Sequence, residues 1–292
     1  GLWSGERGLY YHTATGRNEP DYDANNPIIR GGQPVVEEEY LTDAFTREAV
    51  DFIARHDDKP FFLYLAYSAV HSPLQGANAY MEKFAHIDDL HRRVFAAMLA
   101  NMDDSVGSVL EQVRKSNIEK DTLIFFLSDN GGPTRELTSS NLPLRGEKGQ
   151  MYEGALRVPF VAQWPGKMPA GEVYDLPVSS MDIFATAAAN THGVVMPDVV
   201  EGVDLLPYVN GEKEGAPHET LFWRQGGKTA LRHGDWKVVK MSKNRKAVWE
   251  LFDLKNDISE ENNLSSQNPE KLSELIGKWE VLNGEMREAL FQ

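Results

Sequence analysis

The run Thr122-Leu-Ile-Phe-Phe-Leu127 passes directly into Ser128-Asp129-Asn130-Gly131-Gly132, and the reading of this junction decides the fold. The run is apolar, rich in large residues and without polar alternation. Such a pattern predicts a strand buried on both faces of a parallel sheet. In open α/β sheets, ligands bind beyond the carboxyl ends of the strands. Asp129 and Asn130 stand at that end and offer one anionic and one neutral oxygen, which suits a hard cation such as calcium. Asn-Gly is also the strongest short hairpin signal. The next eight residues, Pro133-Thr-Arg-Glu-Leu-Thr-Ser-Ser140, are loop-like rather than a returning strand. On this segment alone, a metal site and a plain turn both remain open.

Working outward, Leu144-Arg-Gly-Glu-Lys-Gly149 and Tyr152-Glu-Gly154 lead to a second apolar stretch, Val158 to Trp164. Arg135, Arg145, Lys148 and Arg157 fall in this segment and could make a locally positive cleft on an acidic protein. The alternative is solvated loop charge, which is the better reading for Arg135. Upstream, Phe61-Phe-Leu-Tyr-Leu-Ala-Tyr67 predicts another buried strand, and His71 lies just past its end. Polar groups beyond two neighbouring strands of one sheet would face one crevice. Residues 40–56 and 90–116 carry apolar residues at three- and four-residue spacing and predict helices. In the second helix, Phe95, Met98, Met102, Val106, Val109 and Val113 make the apolar stripe. Asp103 and Asp104 point about 100° apart on a helix, so a solvated face suits them better than a metal site. Strand, helix, strand in this order marks a parallel α/β sheet.

The chain of 292 residues is 41% hydrophobic and 25% charged, which suits a globular protein of one large domain or somewhat more. Its net charge of −14 argues against nucleic acid as the main partner. No stretch of about 18 apolar residues exists, so no membrane-spanning helix is expected. The absence of cysteine excludes disulfides, zinc-thiolate sites and thiol nucleophiles within the chain. The start, Gly1-Leu-Trp-Ser-Gly-Glu-Arg, lacks the basic region and apolar core of a signal peptide. Residues 1 to about 38 read as irregular, with Tyr10, Tyr11 and His12 able to line a pocket but better suited to surface packing. Residues 180–189 predict a helix capped by Ser180, followed by a Pro- and Gly-rich connector from Gly193 to Pro217. Thr220–Trp223, Thr229–Arg232, Trp236–Lys240 and Val248–Phe252 then predict strands, with His233-Gly-Asp235 as a turn. A closing helix carries Leu272, Leu275, Ile276, Trp279 and Met286.

Four segments together resemble the type I, formylglycine-dependent sulfatases, and their order is similar to that of the arylsulfatase B (N-acetylgalactosamine-4-sulfatase) branch. They are Val70-His-Ser-Pro-Leu-Gln75, Asn101-Met-Asp-Asp-Ser-Val-Gly107, Ser128-Asp-Asn-Gly-Gly132, and Pro143-Leu-Arg-Gly-Glu-Lys-Gly149 with Tyr152-Glu-Gly-Ala-Leu-Arg-Val-Pro159. The tail, with Ala230-Leu-Arg-His-Gly-Asp-Trp-Lys237 and Leu251-Phe-Asp-Leu-Lys-Asn-Asp257, is also similar, so the resemblance covers nearly the whole chain. It implies an α/β, alkaline-phosphatase-like sandwich with a mostly parallel central sheet, incomplete here, and a small C-terminal α+β subdomain. Residues 1–212 would be the partial α/β domain and 213–292 the subdomain.

The resemblance also implies roles. Asp129 and Asn130 would be calcium ligands, Lys148 would hold the sulfate group, and His71 would sit near the ester oxygen. Glu153 and Arg157 would support the loop after Lys148. Calcium and an ammonium can offset charge on the nonbridging oxygens of a sulfate ester. An imidazole can give the departing alkoxide a proton. The implied partner is a small sulfated substrate, a carbohydrate, with neither nucleic acid nor membrane involved. The family's Cys/Ser-x-Pro-x-Arg nucleophile motif is not found. Asn141-Leu-Pro-Leu-Arg145 has its spacing, but asparagine cannot become formylglycine. Calcium takes about six to eight oxygens, so Asp129 and Asn130 alone would hold it poorly. The expectation is therefore the C-terminal portion of a sulfatase, inactive in isolation, whose remaining ligands lie in an absent N-terminal part. The alternatives are a phosphodiesterase or phosphonate hydrolase of the same superfamily, and a non-catalytic binder of sulfated glycans.

Overall fold

The computed structural model describes residues 2–3, 10, 28–191, 199–241 and 248–287. Tyr11, His12 and the turn-rich segment 18–27 lie outside the described residues. The chain divides into two compact units, Gly1–Thr122 and Leu123–Gln292. The boundary expected near residue 212 falls inside the second unit.

The first unit opens with a small antiparallel sheet of β1 (Leu2–Trp3), β2 (Ile28–Arg30) and β3 (Gln33–Val35). Composition predicts only irregular chain here. The hairpin forms because Gly31 and Gly32 both adopt positive φ, +57° and +82°, as a two-residue turn between paired Arg30 and Gln33 requires. Pro34 costs no ladder bond at the edge of the sheet. Three helices follow: α1 (Leu41–Ala54), the short α2 (Asn78–Lys83) and α3 (Leu90–Lys115). Both long helices match their predicted spans. Along α3 the buried residues are Phe95, Ala97, Met98, Asn101, Ser105 and Val113, so small polar groups replace Met102 and Val106 at the centre of the expected stripe. Asp103 and Asp104 are exposed, and Asp104 accepts a 2.8 Å bond from the Tyr80 hydroxyl.

The run Phe61–Tyr67 forms no strand ladder among the described residues. Its burial nevertheless alternates. Leu65 and Tyr67 pack on Leu41 and Phe45, and Phe61 meets Phe52 edge-on, while Phe62 and Tyr64 are 80% and 81% exposed. It is an extended segment with one covered face.

The second unit begins with β4 (Ile124–Leu127), the short α4 (Glu153–Leu156) and β5 (Phe160–Gln163). β4 and β5 pair antiparallel, Ile124 opposite Gln163 and Leu127 opposite Phe160. Among the described residues every sheet pairing is antiparallel, whereas strand-helix-strand order predicts parallel neighbours. The organising strand is also not buried on both faces. Phe126 and its cross-strand partner Val161 are 40% and 56% exposed. An unbroken apolar run is compatible with a strand that is covered on one face only.

Helix α5 (Met181–Ala189) occupies its predicted span, but the Ser180 hydroxyl makes no cap bond. Asp182 takes over the start of the helix: its Oδ2 accepts the Ser179 N–H at 2.7 Å. The one-turn α6 (Leu206–Val209) precedes a four-stranded antiparallel sheet of β6 (Thr220–Gln225), β7 (Lys228–His233), β8 (Trp236–Lys240) and β9 (Glu250–Asp253), and α7 (Pro269–Glu285) closes the unit. Both faces of this sheet are covered. Leu231, Val238 and Leu251 form one file and pack on Leu275, Leu272 and Trp279 of α7. Ala230, Val239 and Phe252 face the other way and pack on Met151 and Tyr152. The sheet therefore carries α7 on one side and the chain just ahead of α4 on the other. Met286 lies beyond the end of α7 and is 39% exposed.

Leu251 is fully buried between sheet and helix. Leu251→Ala is expected to cost about 2–5 kcal/mol, measured as a shift in the denaturant midpoint at unchanged slope.

Candidate active site

In the second unit, Asp129 and Asn130 occupy the turn that leaves β4, as their sequence position predicts. The turn is internally braced: the Ser128 hydroxyl donates to the Asn130 carbonyl at 2.8 Å, and Asn130 Nδ2 donates to the Gly131 carbonyl at 3.2 Å. The Asn130 side chain is half-buried, with its nitrogen directed to the backbone. The Asp129 carboxylate is exposed and has no hydrogen bond or ion pair among the described residues. The turn cannot move away from α4. Gly131 N–H donates to the Ala155 carbonyl at 3.0 Å, and a Cβ on Gly131 would lie 1.7 Å from the Gly154 carbonyl oxygen. Glycine is therefore required at 131 by close backbone approach.

Lys148 sits on a second loop, at the second position of a turn closed by Gln150 N–H to the Glu147 carbonyl at 3.0 Å. Gly149 follows at φ +81°, the left-handed conformation that a type II turn demands of its third residue. The two loops are stitched together by Asn141. Its Oδ1 accepts the Gly132 N–H at 3.0 Å, and its Nδ2 donates to the carbonyls of Gly132 and Gly146 at 2.8 and 2.9 Å. Glu147 adds a second stitch, accepting from Thr134 Oγ1 and Arg135 N–H at 2.9 and 3.0 Å and pairing with Arg135 Nε at 2.9 Å. The Arg135 backbone bond, with Thr134 and the guanidinium, holds the Glu147 carboxyl below its usual range. The sequence shows no signal for the role of Asn141, which reads only as a residue at nucleophile spacing.

Arg135 and Arg145, two of the four cations expected to make a positive cleft, pair with neighbouring groups, and the Arg135 side chain is still largely in solvent. Arg135 pairs with Glu147. Arg145 stacks on Tyr152 at 3.9 Å, bonds the Tyr152 hydroxyl at 3.1 Å and donates to the Glu260 carbonyl at 2.8 Å. Lys148 and Arg157 are exposed. Glu153 is buried, in keeping with a supporting role: its carboxylate accepts from Lys237 Nζ at 2.7 Å, and its N–H donates to Glu260 Oε2 at 2.6 Å. Sequence periodicity misses Lys237 and Glu260, because a lysine in a short strand reads as solvent-facing and Glu260 lies in the loop after β9.

His71 belongs to the first unit. Its Nδ1 lies 2.7 Å from the Ser72 carbonyl. A carbonyl only accepts, so this nitrogen carries the proton, and Nε2 is the position at which the neutral ring gains one. The His71 backbone N–H donates to the Tyr10 hydroxyl at 3.0 Å, and that hydroxyl donates to the Ser68 carbonyl at 2.5 Å. Tyr10 also stacks on Tyr40, and both bond Gln75. Tyr10 is thus a core residue that braces the turn bearing His71, not a pocket wall. Burial pushes its phenol up to about 12, against the smaller opposing effect of the His71 bond.

Together these features define an α/β protein with a polar site at the carboxyl end of a strand. The family model described as Sulfatase matches residues 3–194, and one described as N-sulphoglucosamine sulphohydrolase, C-terminal, matches residues 146–281. The chain belongs to the sulfatase family. It is 36% identical to human (Homo sapiens) steryl-sulfatase over 191 residues, 62% of this chain and 32% of that protein. It is 34% identical to the N-acetylgalactosamine-6-sulfatase of Canis lupus familiaris over 178 residues, 59% of this chain and 33% of that protein. Among solved structures, Ps i-CgsB in complex with k-i-k-neocarrahexaose matches with a TM-score of 0.80 at 35% identity, covering 88% of this chain and 57% of that one. The fold is of the alkaline-phosphatase-like kind found in such neighbours. The chain spans about a third of the length of the curated relatives it matches.

Asn141→Ala removes three hydrogen bonds and is expected to cost about 1–3 kcal/mol, with faster amide exchange at Gly132 and across 146–150 by mass spectrometry. For Tyr10, the unfolded phenol ionises near 10 and the folded one near 12, so its contribution is complete below pH 10 and is lost as pH rises through 12. Wild type should lose up to ~3 kcal/mol over that interval, and Tyr10→Phe should flatten this part of a stability-against-pH curve.

Proposed function

We propose that this chain carries part of the active site of a calcium-dependent sulfuric ester hydrolase that removes sulfate from a sulfated sugar. The observation that carries this reading is the adjacent carboxylate and amide of Asp129 and Asn130, on a turn locked through Asn141 to the loop of Lys148. A carboxylate with no protein partner among the described residues, beside an amide whose nitrogen is bonded to the backbone, has the chemistry of a hard-cation site. These two residues supply only part of a calcium shell, and no group of three or more acidic, histidine or cysteine side chains placed to hold a metal ion occurs among the described residues. Calcium bound there would offset the charge of the sulfate oxygens.

Lys148 holds the sulfate group as a point charge at the tip of its turn. His71, protonated at Nε2, gives its proton to the departing alkoxide. No nucleophile is assigned to this chain, since both polar atoms of Asn141 are committed to backbone groups. The choice of a sulfated sugar is supported by relatives such as N-acetylgalactosamine-6-sulfatase and by the neocarrahexaose bound to Ps i-CgsB. Within this reading, 213–292 acts as a subdomain that backs the Lys148 loop, and neither nucleic acid nor membrane takes part. No helix among the described residues is long and apolar enough to cross a membrane.

The full-length protein is expected to release sulfate from an aryl sulfate and to lose that activity on chelation, with calcium restoring it. Lys148→Ala and His71→Ala should each lower kcat/KM by about 10²–10³-fold. Unchanged turnover in either variant, or better turnover of a phosphonate ester than of a sulfate ester, would overturn the reading.

A further inference from the structure

We propose that two lysines of the C-terminal sheet, Lys228 on β7 and Lys237 on β8, are positioning residues for Lys148, gripping the chain on its C-terminal side. This rests on the reading that Lys148 meets the sulfate group.

Lys228 Nζ donates to the Gly149 carbonyl at 2.6 Å. Gly149 immediately follows Lys148 and forms the left-handed corner of its turn. Lys237 acts further along the same loop. It is fully buried, with Nζ 2.7 Å from Glu153 Oε1 and 2.9 Å from Glu260 Oε1. Glu260 fastens the loop at both ends. Its Oε2 accepts the Glu153 N–H at 2.6 Å, and its backbone carbonyl accepts Arg145 Nη1 at 2.8 Å. The Gly154 N–H to Arg145 carbonyl bond, 2.7 Å, draws those ends together. A Cβ on Gly154 would lie 2.6 Å from the carbonyl oxygens of Arg145 and Gly146, so the closure admits only glycine.

Residues 145–153 are therefore a closed loop whose two ends and tip are each held by a residue of the C-terminal sheet or its following turn. A lysine positions its charge through a long flexible stem. Where its Cα is fixed, less orienting entropy remains to be lost when the oxyanion arrives. The arrangement is directional. Each carboxylate oxygen of Glu260 faces its own partner, Oε2 the Glu153 N–H and Oε1 the Lys237 ammonium, and a glutamine there offers an oxygen to only one of them. Lys228 is half-buried and bonds a single carbonyl, so its replacement leaves the core intact.

The test uses the full-length protein with Lys228→Met, Lys228→Arg and Glu260→Gln, each also combined with Lys148→Ala. Lys228→Met and Glu260→Gln should lower kcat/KM for an aryl sulfate about tenfold and leave no further loss in the Lys148→Ala background, because both act through that lysine. Lys228→Arg, which restores a donor to Gly149, should recover most of the activity. Amides of 146–153 should exchange about tenfold faster in both variants, while those of Leu231, Val238 and Leu251 keep wild-type protection. Losses that add to that of Lys148→Ala, or unchanged exchange at 146–153, would overturn the proposal. If Glu260→Gln does not fold, Lys228→Met alone decides. If the wild type hydrolyses no sulfate ester, the functional reading fails, and the exchange measurement still judges whether these lysines hold the loop.

Discussion

The second unit depends on an ammonium with no access to water. Lys237 lies between the carboxylates of Glu153 and Glu260, and all three are buried. Removing such charges from water costs several kcal/mol per ion, which mutual attraction offsets only when the geometry is good and the remaining lone pairs are used. Here most are used: Glu260 Oε2 accepts a backbone N–H, and Arg232 lies 3.9 Å from Glu153 Oε2. Glu260 Oε1 is close to the ammonium but is not aligned for a hydrogen bond. Burial outweighs Lys237 and holds the Glu260 carboxyl above its ordinary range. Such triads generally add little net stability, while removing one member leaves an uncompensated buried charge. Any sliding of the loop over the sheet would separate buried opposite charges.

That arrangement is transmitted along the backbone to the polar site. The chain from Gly131 to Gly154 leaves β4, turns twice and comes back against itself, and at both glycines the backbones approach too closely for a side chain. Asn141 satisfies backbone groups on both turns from one amide, as a strand neighbour would if the loops were regular. Loops carry functional side chains because their backbone groups are not committed to ladders. The cost is that each exposed N–H and C=O needs another partner. In this protein asparagine, glutamate and lysine side chains supply those partners.

The cations of this region divide accordingly. Arg145, planar and able to stack, is committed to Tyr152 and the Glu260 carbonyl. Arg135 closes a turn with Glu147. Lys148 stands at the second position of a type II turn. In the first unit, Tyr10 does for His71 what Asn141 does for the oxygen pair, bracing a turn through a buried hydroxyl shared with the backbone.

Local pattern alone is enough to mark the two long helices, the antiparallel C-terminal strands, the closing helix, and Asp129 and Asn130 at a strand end. These depend on residues a few positions apart, whose spacing sets the face they share. The direction in which β5 runs beside β4, the one-sided covering of Phe61–Tyr67, and the roles of Asn141 and Lys237 are not determined that way. Lys237 meets Glu153 across 84 residues, and Glu153 meets Glu260 across 107. A lysine in a short strand is an ordinary surface residue until two distant carboxylates are folded onto it. Only the tertiary structure decides that, because the energy of a charge depends on what surrounds it in space and not on its neighbours in the chain.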